Sequence, residues 1–197
     1  TWENRLIGDE DPDLDPSFLN QKINNIFFYR NRLGFLSNEA VVLSRAGDYF
    51  NFWSTTALSV TDDDPIDITA SSIRPVNHRY VRPASVGLVL FSDTEQFILS
   101  TDSDVLSPNT SKINELSSYE CDPNVEAVTL GTTLAFVSKT PLYTRLYELA
   151  QISTTNPPFM YEQTQIVPEL VPETIDSMIA SPALSIISLG TAGSNVI

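Results

Sequence analysis

Between Ile26 and Trp53 the chain reads IFFYRNRLGFLSNEAVVLSRAGDYFNFW, and this stretch limits the possible folds more than any other. It carries eight aromatic side chains (Phe27, Phe28, Tyr29, Phe35, Tyr49, Phe50, Phe52 and Trp53), interrupted at Leu33-Gly34, Ser37-Asn38-Glu39 and Arg45-Ala46-Gly47-Asp48. Aromatic and β-branched runs separated by such clusters predict strand, turn, strand, turn, strand. Gly47 marks the sharpest turn, because glycine accepts a positive φ without a steric penalty. A three-residue hairpin loop of Arg45, Ala46 and Gly47 then joins Val41–Ser44 to a strand over the aromatic run. Burying each large side chain supplies roughly 1.5–3 kcal/mol against the entropy of ordering the meander. Packing in a sheet therefore accounts for most of these residues.

The pattern returns downstream. Val86–Phe91 and Gln96–Ser100 flank a polar turn at 92–95, and Val125–Leu130 and Leu134–Val137 flank Gly131-Thr132. One strand is expected within 111–119. The stretch 142–152 fits a helix through Leu142, Leu146 and Leu149 and a strand through Tyr143, Arg145 and Tyr147; strand is the reading adopted. A short helix is expected over Glu173–Ala180, before a last apolar run at Leu184–Leu189. Apolar runs centred on Phe35, Val89, Phe136 and Ile186 are 54, 47 and 50 residues apart. Spacing near fifty residues is what propeller blades of four short strands produce, although a β-sandwich with regular turns gives a similar pattern. The expected class is all-β: antiparallel, multi-sheet, with β-propeller-like blades, long loops and little helix. The expected divisions are an acidic loop or linker at 1–17, blades over 18–155, and a Pro-rich connection at 156–197 that begins a further blade. Closing a propeller would need chain beyond this stretch, and the absent initial Met also fits a segment of a longer protein.

The string FFYRNRLGFLSNEAVVLSRAGDYFNF, followed by DDDPID at Asp62–Asp67, resembles the tail nozzle (tail tubular protein B) family of short-tailed podovirus bacteriophages. The likeness is densest from Pro16 to Asp67, continues through LVLFSDTEQFILS to about Glu148, and thins beyond Asn156. The resemblance implies a component of the virion tail, a homo-oligomeric and specifically hexameric ring, and propeller-like domains around a channel for viral DNA in transit. It also implies contacts with a tail adaptor ring protein and with tail fibres, and no small-molecule substrate.

Charge bears on the partners. With 25 acidic and 11 basic residues the net charge is −14, so a basic patch gripping phosphate is not expected. A wall of that sign would let DNA, with one charge per ~1.7 Å, slide without sticking, although solubility alone explains an acidic chain more simply. Cys121 is the single cysteine and His78 the single histidine, which excludes an internal disulfide and the usual nitrogen and sulfur zinc site. The acids at Asp9–Asp15 miss the calcium-loop pattern, since a loop starting at Asp9 has Leu14 and Asn20 where glycine and glutamate belong. No cofactor is expected.

Neither a nucleophile elbow nor a glycine-rich phosphate loop occurs. Paired carboxylates for glycoside hydrolysis remain an alternative: a carbohydrate-active propeller enzyme or lectin acting on host glycan, with Asp48, Asp67, Asp93 and Glu95 as the acids to consider. Turns and ion pairs account for those acids, so the expectation is a protein that is not an enzyme. Arg74, His78, Arg79 and Arg82 form the densest basic group and are read as ion-pair partners. The residues singled out as structural or interface candidates are Arg30, Arg32, Arg45, Gly47, Asp48 and the turn acids Asp62, Asp63 and Asp64. Arg30 and Arg32 are expected on one strand face, and Arg45 is expected to pair with Asp48.

Overall fold

The computed structural model describes residues 14–56, 58–153, 156 and 158–192. The acids at Asp9–Asp13 and the closing residues Gly193–Ile197 lie outside them. The chain folds into successive antiparallel meanders. The first sheet contains β1 (Asn25–Tyr29), β2 (Arg32–Ser37), β3 (Ala40–Leu43) and β4 (Ile66–Thr69), in that order. The second contains β5 (His78–Ala84), β6 (Gly87–Ser92), β7 (Gln96–Thr101) and β8 (Ser111–Ser117). β9 (Val128–Leu130), β10 (Thr133–Lys139), β11 (Thr144–Ala150) and β12 (Phe159–Glu162) make the third, and β13 (Ser177–Ser181) with β14 (Ile186–Gly190) a two-stranded fourth. A single 3-10 turn at Pro168–Leu170 is the only helical element among the described residues.

The sheets stack face to face, because alternate residues of one strand leave on opposite faces. On β6, Leu88 and Leu90 enter a core shared with Leu36, Val41 and Leu43 of the first sheet. The intervening Val89 and Phe91 enter a second core with Leu134 and Phe136 of the third sheet. Val137 turns the other way, toward Met178 and Leu189 of the fourth. The outer face of the first sheet is capped by Phe18 and Phe52, which meet Phe35 at centroid distances of 5.0 and 5.1 Å.

Three local expectations are corrected. The first turn is Arg30-Asn31, with φ of 45° and 60°, not Leu33-Gly34. Gly34 lies inside β2 opposite Phe27, where a Cβ would come within 2.3 Å of the Phe27 ring and 2.8 Å of Leu43. This glycine serves close packing under an aromatic ring and makes no turn. Secondly, Tyr49–Trp53 is not a strand. Arg45 and Asp48 form an isolated bridge around Ala46 and Gly47 (φ 77°), tighter than a three-residue loop, and the place beside β3 belongs to β4. The aromatics are used as a cap through Phe52 instead. Thirdly, residues 173–180 are not helical: Met178 faces the core while Ile179 faces out, a period of two fixed by pairing with β14.

Candidate functional site

The singled-out arginines and acids converge where the first sheet meets the loop between β3 and β4. Arg32 opens β2 directly after the Arg30-Asn31 turn, and its side chain points into the protein, 1% exposed. Among the described residues it has no carboxylate partner. Its Nη1 donates to the carbonyls of Ser44 (2.8 Å), Asp64 (2.6 Å) and Asp63 (3.4 Å), and its Nη2 to those of Asp62 (2.7 Å) and Leu106 (3.2 Å). A planar guanidinium with five donors can serve such a ring of carbonyls, which a compact ammonium cannot. Burial lowers the Arg32 pKa, and the nearby Asp63 and Asp64 charges oppose that fall.

The acidic turn is built around this cation. Asp64 is 2% exposed and accepts from Thr55 N (3.1 Å), Thr55 Oγ1 (3.0 Å) and Thr61 N (2.8 Å). Burial alone would raise its pKa, and the bonds from Thr55 and Thr61 outweigh it, so the net shift is downward. Asp63 accepts from Thr61 Oγ1 (2.6 Å) and pairs with Arg45, and these two contacts, the threonine first, hold its pKa down at about 2. Asp62 offers its carbonyl to Arg32, while its side chain stays in solvent.

Two pairings differ from expectation. Arg30 lies in the turn, exposed, with Nη1 3.3 Å from the Asp104 carbonyl, so it shares no strand face with Arg32. Arg45 pairs with Asp63, and Asp48 adds only a more distant attraction. Gly47 holds the bend through its N–H to the Asn31 carbonyl at 2.9 Å. The partners Thr55, Thr61, Ser44 and Leu106 carried no sequence signal, since hydroxyls and carbonyls gain roles only once the loop is placed.

Elsewhere three further arginines are also engaged within the chain. Arg79 holds Asp93 through two bonds (2.9 and 3.1 Å), Arg74 holds Glu95 (3.0 Å) and Arg82 holds Glu126 (2.8 Å). His78 is not part of that set: it is fully buried against Phe97, and neither ring nitrogen has a hydrogen-bond partner among the described residues. Burial pushes its pKa down to about 4, against a weak opposing pull from the Glu39 backbone, whose geometry falls short of a hydrogen bond.

A model of the bacteriophage nozzle protein family matches residues 1–196. The chain belongs to that family. It is 33% identical over 183 residues to the tail tubular protein gp12 of Escherichia phage T7, covering 91% of this chain and 23% of that protein. The chain thus spans about a quarter of the length of the curated relative it matches. Membership makes the nozzle chain a component of the phage tail in the virion.

The acids of the alternative glycosidase reading are each occupied or isolated in this nozzle chain. Asp93 and Glu95 hold arginines, and Asp67 accepts the Ser17 N–H at 2.7 Å. Asp48 is exposed at the bend. No three His, Cys, Asp or Glu side chains among the described residues cluster as a metal would require.

Proposed function

We propose that this chain is a structural part of the tail nozzle, in which β-propeller-like blades build an oligomeric tube that conducts and gates viral DNA during ejection. The observation that carries the reading is the use made of charge. Among the described residues six basic side chains are tied to carboxylates of the same chain, and Arg32 is tied to carbonyls. With a net charge of −14, little cationic surface is left to hold phosphate, and a passing duplex meets a wall that repels it.

Three successive four-stranded meanders of similar length support the blade-like reading, and stacking through shared cores supports a stiff wall. A hexameric ring, an adaptor ring protein above it and tail fibres at its side belong to the same proposal. Negative-stain microscopy of the full-length protein tests it: rings with an open centre are expected, and a monodisperse monomer under conditions that assemble tails would overturn it. Cleavage of purified host polysaccharide, lost on neutralising one carboxylate, would favour the enzyme reading instead.

A further inference from the structure

The sheets stack with first strand over first strand and last over last: β1 lies against β5, β4 against β8, and β13 against β9. The pair β13–β14 and the residues before it cover β9, β10 and Leu146 of β11 in the third sheet and leave β12 open on that side. Phe159 and Tyr161 lie on that open strand. They pair with Ala150 and Glu148, whereas Leu149 and Met160 between them face the second sheet.

Both rings are exposed, at 57% and 49%, and stack on each other at 6.1 Å and 14°. The equivalent outer halves elsewhere are closed by third and fourth strands of the next sheet. Val41, Leu43, Ile66 and Ile68 of β3 and β4 are covered by Phe97, Leu99 and Ile113 of β7 and β8, and Ile98 and Leu116 of β7 and β8 by Tyr147, Leu149 and Met160 of β11 and β12. Among the described residues no strands cover Phe159 and Tyr161, and there β14 also presents an edge without a partner strand, with Ile186 50% exposed. Such an edge is a template for another strand.

We propose that this edge and the two rings seat two further antiparallel strands, the third and fourth of the fourth sheet. They come from nozzle polypeptide that follows β14 and carry apolar side chains at alternate positions toward Phe159 and Tyr161. The matched relative is some four times longer than the aligned stretch, which leaves ample chain to supply them. A second copy paired antiparallel edge to edge does not fit: it would drive the partner's β10, which underlies its own β14, into the place of β11. The inference rests on the stacking of sheets and not on the conduit reading, so either can fail alone.

The test uses Phe159→Cys, with Tyr161→Cys as a second variant, in the full-length nozzle protein and in the 197-residue chain. Cys121 is buried and contributes little background. Alkylation of either new thiol is expected to be at least about tenfold slower in the full-length protein, as cooperative strand cover requires. A photo-crosslinker on the same thiol should then join polypeptide of the same molecule that follows residue 197. Equal alkylation in both chains would overturn the proposal. So would a crosslink to another subunit or tail protein, or protection of the 197-residue chain by host polysaccharide, which would assign the rings to sugar stacking.

Discussion

Replacing Arg32 by Met tests whether the acidic turn is held by carbonyls or by ion pairs. The substitution keeps an apolar stem of similar reach and removes every donor from the ring of five carbonyls. Those of Ser44, Asp64 and Leu106 face Arg32 in fully buried surroundings. A buried acceptor left unpaired costs about 1–3 kcal/mol, so three of them, partly relieved by loop movement and water entry, give a loss of about 3–4 kcal/mol. That is a large fraction of the roughly 5–15 kcal/mol that separates folded from unfolded chains. Arg32→Lys keeps the charge but not the fork and should lose about half as much. Urea unfolding followed by tryptophan fluorescence reads the effect as a drop in midpoint of about 1–2 M for Arg32→Met. Asp62→Asn separates the two readings: only the Asp62 carbonyl touches Arg32, so its midpoint should stay at the wild-type value. An unchanged midpoint for Arg32→Met, or a loss for Asp62→Asn equal to it, would refute the carbonyl cage.

Stability should also fall with acid in two windows. His78 has a folded pKa of about 4 against an ordinary 6.5, so the unfolded chain takes up the proton first; stability is whole above 6.5 and declines by about 3 kcal/mol as pH falls to 4. His78→Phe should flatten that slope in equilibrium unfolding measured across pH. Asp63, held near 2 from an ordinary 3.8, adds a further loss between those values, which Asp63→Asn abolishes. Gly34→Ala should destabilise by about 1–3 kcal/mol in thermal unfolding, because its Cβ meets the Phe27 ring. Asp48→Asn should leave the melting temperature unchanged while Asp63→Asn lowers it, since Arg45 pairs with the latter. Burial pushes the Cys121 thiol up to about 12, so maleimide at neutral pH should label it only on unfolding.

What the sequence reveals about this fold depends on how many faces of a strand are covered. Phe35, Val89, Phe136 and Ile186, the centres of the four apolar runs, all fall on second strands: β2, β6, β10 and β14. A second strand has neighbours on both edges, and in a stack it is also covered on both faces, so its apolar residues run on without alternation. Edge strands are harder to read, and β4 and β13 escaped because their neighbours decide their state: β4 displaces the aromatic run from beside β3, and β14 draws 177–181 out of a helical pattern. The cage around Arg32 was legible only as a charged residue among aspartates. Its real partners are backbone carbonyls, which every residue has and no sequence pattern distinguishes.

The same argument explains the one second strand that departs from the rule. β6 is buried at every position, whereas β14 alternates between exposed and half-buried residues, with Ile186 and Ser188 facing out. Its sequence, Ile-Ile-Ser-Leu-Gly, is nevertheless as apolar as a strand meant for cover on at least one face. A strand of that composition left half wet, beside an unpaired edge and two uncovered rings, bears the stamp of an interior position whose neighbours come later in the polypeptide. Adding those neighbours should convert the β14 pattern toward that of β6. Slowed exchange of the β14 amides in the full-length protein, relative to the 197-residue chain, is the measure of that conversion.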